Sequence, residues 1–328
     1  MPTLVTLVDG TVPVAADFNG NYTALNNAIG SGTAISAWAT GEIPYASGAN
    51  TLARLTAGSF GQVLTMGASI PAWSAAAGVV DQLCGLTLSN NVGDATNDID
   101  ISVGVAASED ATYANRVMMS LTSAITKRLD ATWVVGTNQG GLDTGSPSNT
   151  TYHVFLIQRV DTGVVDVLFS LSATAPTLPT SYTKQRRIGS ILREGGAIVA
   201  FSQDGDEFLR SASKLDIDVT NAGTSAVSRT LSVPLGIKVR AIVNVLATHV
   251  GTNFFVYLSS LDQSDEAASE TSAITNHGSS NASDPTEAAQ FKLRTNTSAQ
   301  VRTRQNTSGA GDIFRMATVG WWDRRGKG

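Results

Sequence analysis

A clear strand pattern is present in the segment Lys238-Val239-Arg240-Ala241-Ile242-Val243-Asn244-Val245-Leu246. Apolar residues stand at every second position in it, at 239, 241, 243 and 245. Because side chains at every second position of a strand share one face, this period predicts a strand with that face in a core. We expect the strand to extend over Lys238–Thr248.

Similar short segments continue from residue 79 to the end of the sequence. Turn signals such as Asp161-Thr162-Gly163 and Asp204-Gly205-Asp206 separate them. Many short strands with regular turns are typical of β-sandwich and jelly-roll modules. We therefore expect a mainly β protein, with one module over residues 79–210 and a C-terminal one over 211–328. The other predicted strands are Asp98–Val105, Arg116–Leu121, Trp133–Val135, Thr151–Arg159, Val164–Phe169, Arg187–Leu192, Ala197–Ser202, Leu215–Val219, Arg229–Val233, Asn253–Leu258, Gln290–Arg294, Gln300–Arg304 and Phe314–Trp321.

The first forty residues contain one predicted helix. Asp17 is a suitable N-cap, and a glycine at position 30 supplies a stop. Between them, Phe18, Tyr22, Leu25 and Ile29 fall at helical spacing on one face. A helix this short is marginal alone in water, so its apolar stripe must pack against its own chain or another copy.

Residues 41–78 form a weakly charged segment, rich in Gly, Ala, Ser and Thr. Its strand-like pieces are too short to build a core of their own, so the segment needs partners or remains a linker. Small residues allow three backbones to approach closely, and cyclic closure makes every contact identical. The apolar side chains expected around a threefold axis are Ile43, Tyr45, Leu52, Leu55, Val63 and Trp73, together with Phe60 and Leu64.

The charge distribution argues against several classes of partner. The chain has 328 residues, 22 bases and 27 acids, for a net charge of −5. Arg54 is the first base and Arg116 the next, so no basic patch for nucleic acid is evident in the N-terminal third. There is no apolar run of membrane-spanning length and no basic leader typical of a signal peptide. Cys84 is alone, which excludes an intrachain disulfide and a cysteine zinc site.

No catalytic or metal-binding pattern stands out in the sequence. His153, His249 and His277 are the three histidines, and none lies in a recognisable hydrolase, metalloprotease or P-loop motif. The acidic runs around Asp98 and Asp206 are expected to serve β-turns rather than calcium. We therefore expect no enzyme activity, no catalytic residues, no metal and no cofactor.

Basic residues form three clusters, at 184–187, at Arg294 with Arg302 and Arg304, and at 324–327. Alternation puts Arg302 and Arg304 on one strand face. This face is either a contact for an anionic polysaccharide or phosphate, a solvated surface, or a partner for acids of another chain. The neighbouring Trp321 and Trp322 are either a platform for sugars or one core ring beside one edge ring.

Two segments near the N-terminus resemble fibre and spike proteins of tailed bacteriophages. One is Gly41–Leu55 (GEIPYASGANTLARL) with its continuations GQVLT at 61–65 and PAW at 71–73. The other is DFNGNYTALN at 17–26. The segments from Trp133 to Ser190 and GWWDRRG at 320–326 resemble distal β-modules of phage virion proteins.

The resemblance implies a homotrimer that is part of the virion, made in the bacterial cytoplasm without a signal peptide. Residues 1–40 would anchor it to other virion proteins through Phe18, Tyr22, Leu25 and Ile29, and 41–78 would form an intertwined neck. The β-modules would attach to a glycan or protein of the host surface. The expected contacts are the long polar loop 262–289, which carries His277, and the face with Arg302 and Arg304.

Two other functions remain open from the sequence. A head fibre, a decoration protein or a tail connector would share the features of residues 1–78. A glycan depolymerase is the third possibility. Phage enzymes of that kind usually carry a long β-helix, and no fixed-period repeat is present here.

Overall fold

The computed structural model describes residues 39–48, 51–59, 62–67, 69–75, 81–251, 253–269, 276–279 and 286–327. Within these ranges, regular structure is β-strand apart from one turn of 3-10 helix, Tyr113–Asn115. The mainly β class is therefore confirmed. The predicted N-terminal helix, with Phe18, Tyr22, Leu25 and Ile29, lies outside the described residues.

The chain divides into two compact units, Met1–Ala77 and Gly78–Gly328. The first contains two antiparallel hairpins. Their strands are β1 (Ile43–Gly48) with β2 (Thr51–Leu55), and β3 (Gln62–Met66) with β4 (Pro71–Ala75).

The first hairpin distributes its apolar side chains over both faces. Ile43 lies directly across from Leu55, and Tyr45 shares their face because it is two residues from Ile43. Leu52 is on the opposite face, and 51% of it is exposed. The hairpin thus presents apolar surface on two sides.

The second hairpin holds the tryptophan of this unit. Leu64 lies across from Trp73, and Val63 points to the other face. The Trp73 indole N–H donates to the carbonyl oxygen of Thr56 at 2.6 Å. A Cβ atom at Gly58 would lie 2.6 Å from the indole ring, so this close approach requires glycine.

The second unit is built from twenty strands in four sheets. In chain order they are β5 (Leu83–Gly85), β6 (Leu88–Asn90), β7 (Asp98–Ile101), β8 (Gly104–Ala107), β9 (Met118–Leu121), β10 (Ile125–Thr132), β11 (Gln139–Leu142), β12 (Thr151–Gln158), β13 (Val165–Ser170), β14 (Lys184–Glu194), β15 (Ala197–Ile198), β16 (Phe201–Asp204), β17 (Glu207–Thr220), β18 (Val227–Thr230), β19 (Arg240–Thr248), β20 (Phe254–Ser259), β21 (His277–Ser279), β22 (Thr286–Arg294), β23 (Gln300–Gln305) and β24 (Ile313–Trp322), counted over the described part of the chain.

Most neighbouring strands in these sheets are antiparallel. The largest sheet has eight strands in the order β15-β14-β12-β13-β11-β10-β7-β6, in which β11 runs parallel to β10 and β13. A five-stranded sheet has the order β16-β17-β24-β19-β22, and a four-stranded sheet has the order β18-β23-β20-β21. Strands β5, β8 and β9 form a three-stranded sheet. Most of the alternating segment 238–246 belongs to β19, which lies between β24 and β22.

One hydrophobic core receives side chains from all four sheets. Val154 of the eight-stranded sheet, Val243 of the five-stranded, Val256 of the four-stranded and Met119 of the three-stranded sheet are fully buried in it. Strand β17 crosses position 210, and residues from both sides of that position contribute to this core. The division into modules at 210 stays a prediction.

The C-terminal segment that follows β24 returns to the eight-stranded sheet. The Arg325 guanidinium donates from Nε to the Ile188 carbonyl at 2.7 Å. Its Nη2 donates to the carbonyls of Gly85 and Leu86 at 3.0 and 2.6 Å. Arg325 is 4% exposed, so one buried side chain joins three separate parts of the chain.

Candidate functional site

Arg302 and Arg304 lie on β23, at the centre of the four-stranded sheet. Their neighbours Val301, Thr303 and Gln305 are buried, whereas the two arginines are half-buried. The expected strand and the shared outward face are both present. The question for function is what the two guanidinium groups contact.

Both guanidinium groups hold the beginning of the polar loop. Arg302 Nη1 donates to the Gln263 carbonyl at 2.8 Å. Arg304 Nη1 pairs with Asp265 Oδ2 at 2.7 Å, and its Nε donates to the Thr224 carbonyl at 3.1 Å. Much of the hydrogen-bonding capacity of this face is therefore used within the chain. Its role in receptor binding stays a prediction.

His277 occupies the other face of the same sheet. It pairs with the buried Val256 across β21 and β20, is 7% exposed, and packs edge-on against Phe291. Burial lowers the pKa of its imidazole below the ordinary value. The structure does not bring His277 together with Arg302 and Arg304. The binding role predicted for His277 is untested by these contacts.

A second region gathers more positive charge than the predicted face. A cavity of about 530 Å³ opens at the end of the five-stranded sheet, within the range of small-molecule sites. We call it the basic cleft. Its lining residues are Arg187, Asp206, Lys238, Val239, Arg240, Arg294, Trp322, Asp323, Arg324, Gly326 and Lys327.

Strand register places the key side chains of the basic cleft in one row. Arg240 on β19 lies directly across from Arg294 on β22 and, on its other side, from Trp322 on β24. Glu207 on β17 continues the row beyond Trp322. Residues opposite each other in neighbouring strands have Cβ atoms about 4.5–5.5 Å apart, so these side chains are immediate neighbours.

Most of the bases around the basic cleft have carboxylate partners. Asp262 forms ion pairs with both Lys238 and Arg294, at 2.7 and 3.3 Å. Lys327 pairs with Asp206 at 2.8 Å. These pairs neutralise part of the charge and fix the direction of each base.

Arg240 has a different environment. It is exposed, and no ion pair or hydrogen bond of its side chain occurs among the residues the structure describes. Its cross-strand neighbour is Arg294, a group of the same charge. The lining contains six bases and two acids, so the cleft retains a net positive charge. Such a cleft can hold an anionic group.

The two adjacent tryptophans have opposite environments. Trp321 is 1% exposed and stacks on Phe208 in the core, at an interplanar angle of 4°. Trp322 is 40% exposed, and its indole N–H donates to Glu207 Oε1 at 3.0 Å. Lys292 Nζ lies 5.0 Å from the Trp322 ring centroid. One ring is therefore in the core and one at its edge, as predicted by one of the two interpretations of this pair, and a sugar contact of Trp322 stays a prediction.

The sequence identified parts of the basic cleft but not the cleft itself. Arg187, Arg294 and the segment 324–327 belong to three different basic clusters, and the sheets bring one lining residue or more from each cluster together. The sequence pattern does not single out Arg240 as a binding residue, because it is one of several polar residues at alternating positions of a strand. The row of Arg294, Arg240 and Trp322 depends on the pairing of β22, β19 and β24, which are far apart in sequence.

The described residues offer neither a metal-binding cluster nor a membrane-spanning helix. No group of three or more His, Cys, Asp or Glu side chains there is arranged to hold a metal ion. Nor does that part of the chain contain a helix with the length and apolar character needed to cross a bilayer.

Comparisons with known proteins identify no family. No family model matches the chain, and no curated protein matches it. Among solved structures, the chain is similar to that of the infectious bursal disease virus Gx strain, with 8% identity, 74% of this chain and 72% of that chain covered, and a TM-score of 0.23. It is also similar to a Bacillus thuringiensis Cry1Da tryptic core variant, with 9% identity, coverage of 74% and 53%, and a TM-score of 0.15. Similarities at these TM-scores carry no argument about fold or function.

Proposed function

We propose that this chain is a homotrimeric fibre or spike protein of a tailed bacteriophage, which attaches the virion to the host surface without covalent chemistry. The resemblance of residues 17–26 and 41–73 to phage fibre segments supports this class of protein, and the observation that supports attachment is the basic cleft. It joins exposed cationic groups and an exposed aromatic ring in one cavity of ligand size. In this proposal residues 1–40 anchor the protein to the virion, 41–78 form the neck, and β-sandwich modules project the cleft outward.

Exposed apolar side chains in the first unit support the trimeric neck. Leu52, Val63, Leu64 and Met66 are 51%, 43%, 47% and 75% exposed within the single chain. Four exposed large apolar side chains within two short hairpins favour burial against other copies of the chain. A threefold assembly buries these side chains against copies of themselves, and one sequence then satisfies three identical contacts.

Trimerisation also supports attachment by a weak site. Three basic clefts on one trimer can bind a repetitive host surface at the same time. The avidity of the trimer then exceeds the affinity of a single cleft, although each cleft makes the same contacts. Loops around a rigid β scaffold are the usual place for such recognition. The ligand in this proposal is a glycan or protein of the host surface.

Competition with intact virions tests the attachment function. Host cells are incubated with the purified full chain, and the adsorption rate of virions is then measured. Attachment predicts that the full chain slows adsorption in a saturable manner. Unchanged adsorption, together with a location at the capsid vertex, would favour a structural head-fibre, decoration or connector role. Release of reducing ends from host polysaccharide would instead favour a depolymerase.

A further inference from the structure

We propose that the basic cleft binds an acidic saccharide, and that Arg240 meets its oxyanion while Trp322 contacts the sugar ring. This inference rests on the proposed attachment function and names the chemistry of the ligand. Carboxylate, sulfate and phosphate share the charge and the oxygen geometry that the cleft recognises.

Arg240 is unfavourably placed opposite a second positive charge. Like charges directly opposite each other in a sheet are destabilising, and Arg240 faces Arg294. Arg294 has Asp262 as a partner, whereas Arg240 has no carboxylate among the described residues. An oxyanion bound beside both guanidinium groups offsets this repulsion and accepts hydrogen bonds from Arg240.

The groups that surround Arg240 are held in place by partners of their own. Arg187 is fixed by two hydrogen bonds to Asp323, and Asp262 contacts both Lys238 and Arg294. Trp322 is oriented by Glu207. Groups that are already ordered lose little conformational entropy when a ligand binds, which favours affinity.

The chemical form of the ligand follows from the guanidinium group and the indole ring that it meets. A guanidinium group is planar and binds carboxylate or phosphate through two parallel hydrogen bonds. The exposed indole supplies an apolar surface with a hydrogen-bonded N–H, next to that anion position. A ligand that fits both features has one anionic group on a body with apolar and hydroxyl surfaces, as an acidic sugar has.

The rim of the basic cleft argues against an extended polyanion. Asp206, Glu207 and Asp262 lie around the cationic groups and accept their hydrogen bonds or that of Trp322. Proteins that follow a nucleic acid backbone need a continuous basic track to neutralise several phosphates. Carboxylates that interrupt the positive surface favour an isolated oxyanion over a polynucleotide.

The test is calorimetric titration of the full chain with defined ligands. The ligands are a uronic-acid oligosaccharide, a sulfated and a phosphorylated oligosaccharide of similar length, a neutral oligosaccharide, and oligothymidylate. We expect binding of one or more acidic saccharides and no binding of the neutral one. The acidic saccharide that binds identifies which oxyanion the cleft takes.

Three variants locate the binding site. Arg240→Gln is expected to weaken binding about tenfold or more, because it removes a charge-assisted hydrogen bond. Arg240→Lys, which keeps the charge, is expected to restore part of the affinity. Arg315→Gln is the matched control, since Arg315 lies on β24, is 44% exposed and pairs with Asp218 away from the cleft. We expect its affinity to equal that of the original chain.

Several results would overturn the inference. Equal affinity for acidic and neutral saccharides, equal losses in Arg240→Gln and Arg315→Gln, or tighter binding of oligothymidylate would each do so. The two proposals fail separately. Virion competition that persists while acidic saccharides do not bind removes this inference and leaves attachment intact. Saccharide binding through Arg240 without virion competition removes attachment instead.

Discussion

Arg187 and Asp323 form a buried ion pair that joins β14 of the eight-stranded sheet to the segment after β24. Arg187 Nη1 and Nη2 donate to the two carboxylate oxygens of Asp323 at 2.6 and 2.7 Å. The Asp323 carboxylate also accepts from the Arg325 backbone N–H at 2.8 Å. Burial by itself would raise the pKa of Asp323, but the charge and hydrogen bonds of Arg187, together with the Arg325 backbone N–H and the nearby His153, hold this pKa below its usual range.

Removal of one partner of this pair should strongly destabilise the second unit. Asp323→Ala leaves the Arg187 charge buried without a counter-charge, and we expect a loss of about 3–5 kcal/mol in the free energy of unfolding. Urea denaturation measures this loss. Asp218→Ala is the matched control, because it breaks the exposed Arg315–Asp218 pair and should cost less than about 1 kcal/mol. Equal losses in the free energy of unfolding of the two variants would show that the buried pair stabilises the fold no more than the exposed pair does.

Arg325 should also stabilise the second unit, because its guanidinium group donates to three backbone carbonyls. Arg325→Met keeps much of the side-chain volume but leaves the carbonyls of Gly85, Leu86 and Ile188 without this donor. Hydrogen bonds from charged groups contribute about 1.5–3 kcal/mol each, so we expect a loss of at least about 2 kcal/mol. Arg128→Met, at an exposed arginine, serves as the control in the same urea series. An Arg325→Met protein as stable as the control would refute the assigned role.

Acidification should weaken the fold through His153. Burial, followed by the nearby Arg187 charge, lowers the pKa of this imidazole from 6.5 to about 4. The unfolded state therefore binds more protons than the folded state between these values, and stability falls as the pH decreases from about 6.5 towards 4. The full effect corresponds to about 3 kcal/mol. Denaturation at several pH values, compared with His153→Gln, isolates this contribution. Parallel pH profiles of the two proteins would contradict it.

Arg240→Gln should preserve or improve stability while it weakens ligand binding. The substitution removes the like-charge contact with Arg294, and such cross-strand terms are worth about 0.2–1 kcal/mol. The expected result is an unchanged or slightly higher midpoint of thermal unfolding. A marked decrease would mean that Arg240 has a structural role in the sheet.

An acidic side chain on the second hairpin should prevent trimerisation. Leu64→Glu places a charge at a 47%-exposed apolar position across from Trp73, where the proposed neck is dry. We expect light scattering of the full chain to give three times the 34.1 kDa of one chain, and the variant to give a smaller mass. Val92→Glu adds the same charge at a 99%-exposed position of the second unit and should remain trimeric. A monomeric original chain would contradict the proposed neck.

Strands with a simple apolar period were predictable, and one with a buried charge was not. Thr151–Gln158 and Arg240–Thr248 agree with their predictions to within two residues at each end. The prediction of a strand at Trp133–Val135 was wrong, because the strand is Ile125–Thr132. Its buried positions include Lys127, which pairs with Asp166 at 3.1 Å, and a lysine at an inward position hides the apolar period.

The polar loop shows a second limit of the sequence pattern. Residues 262–289 were expected to form one loop, but His277–Ser279 and Thr286–Arg294 are strands. Strand β22 is at the edge of its sheet and is largely exposed, so its first residues need no apolar period. The basic clusters were visible in the sequence. The sequence does not show that residues of these clusters lie together near Arg240, because their proximity depends on strand register.

Saturation binding of the labelled full chain to host cells tests both proposals, attachment and the role of Arg240, in one measurement. Arg240→Gln and Arg315→Gln are compared with the original chain at physiological salt. We predict saturable binding of the original chain, equal binding of Arg315→Gln, and affinity at least about tenfold lower for Arg240→Gln. Absence of saturable binding, or equal affinity of all three proteins, would contradict attachment through the basic cleft.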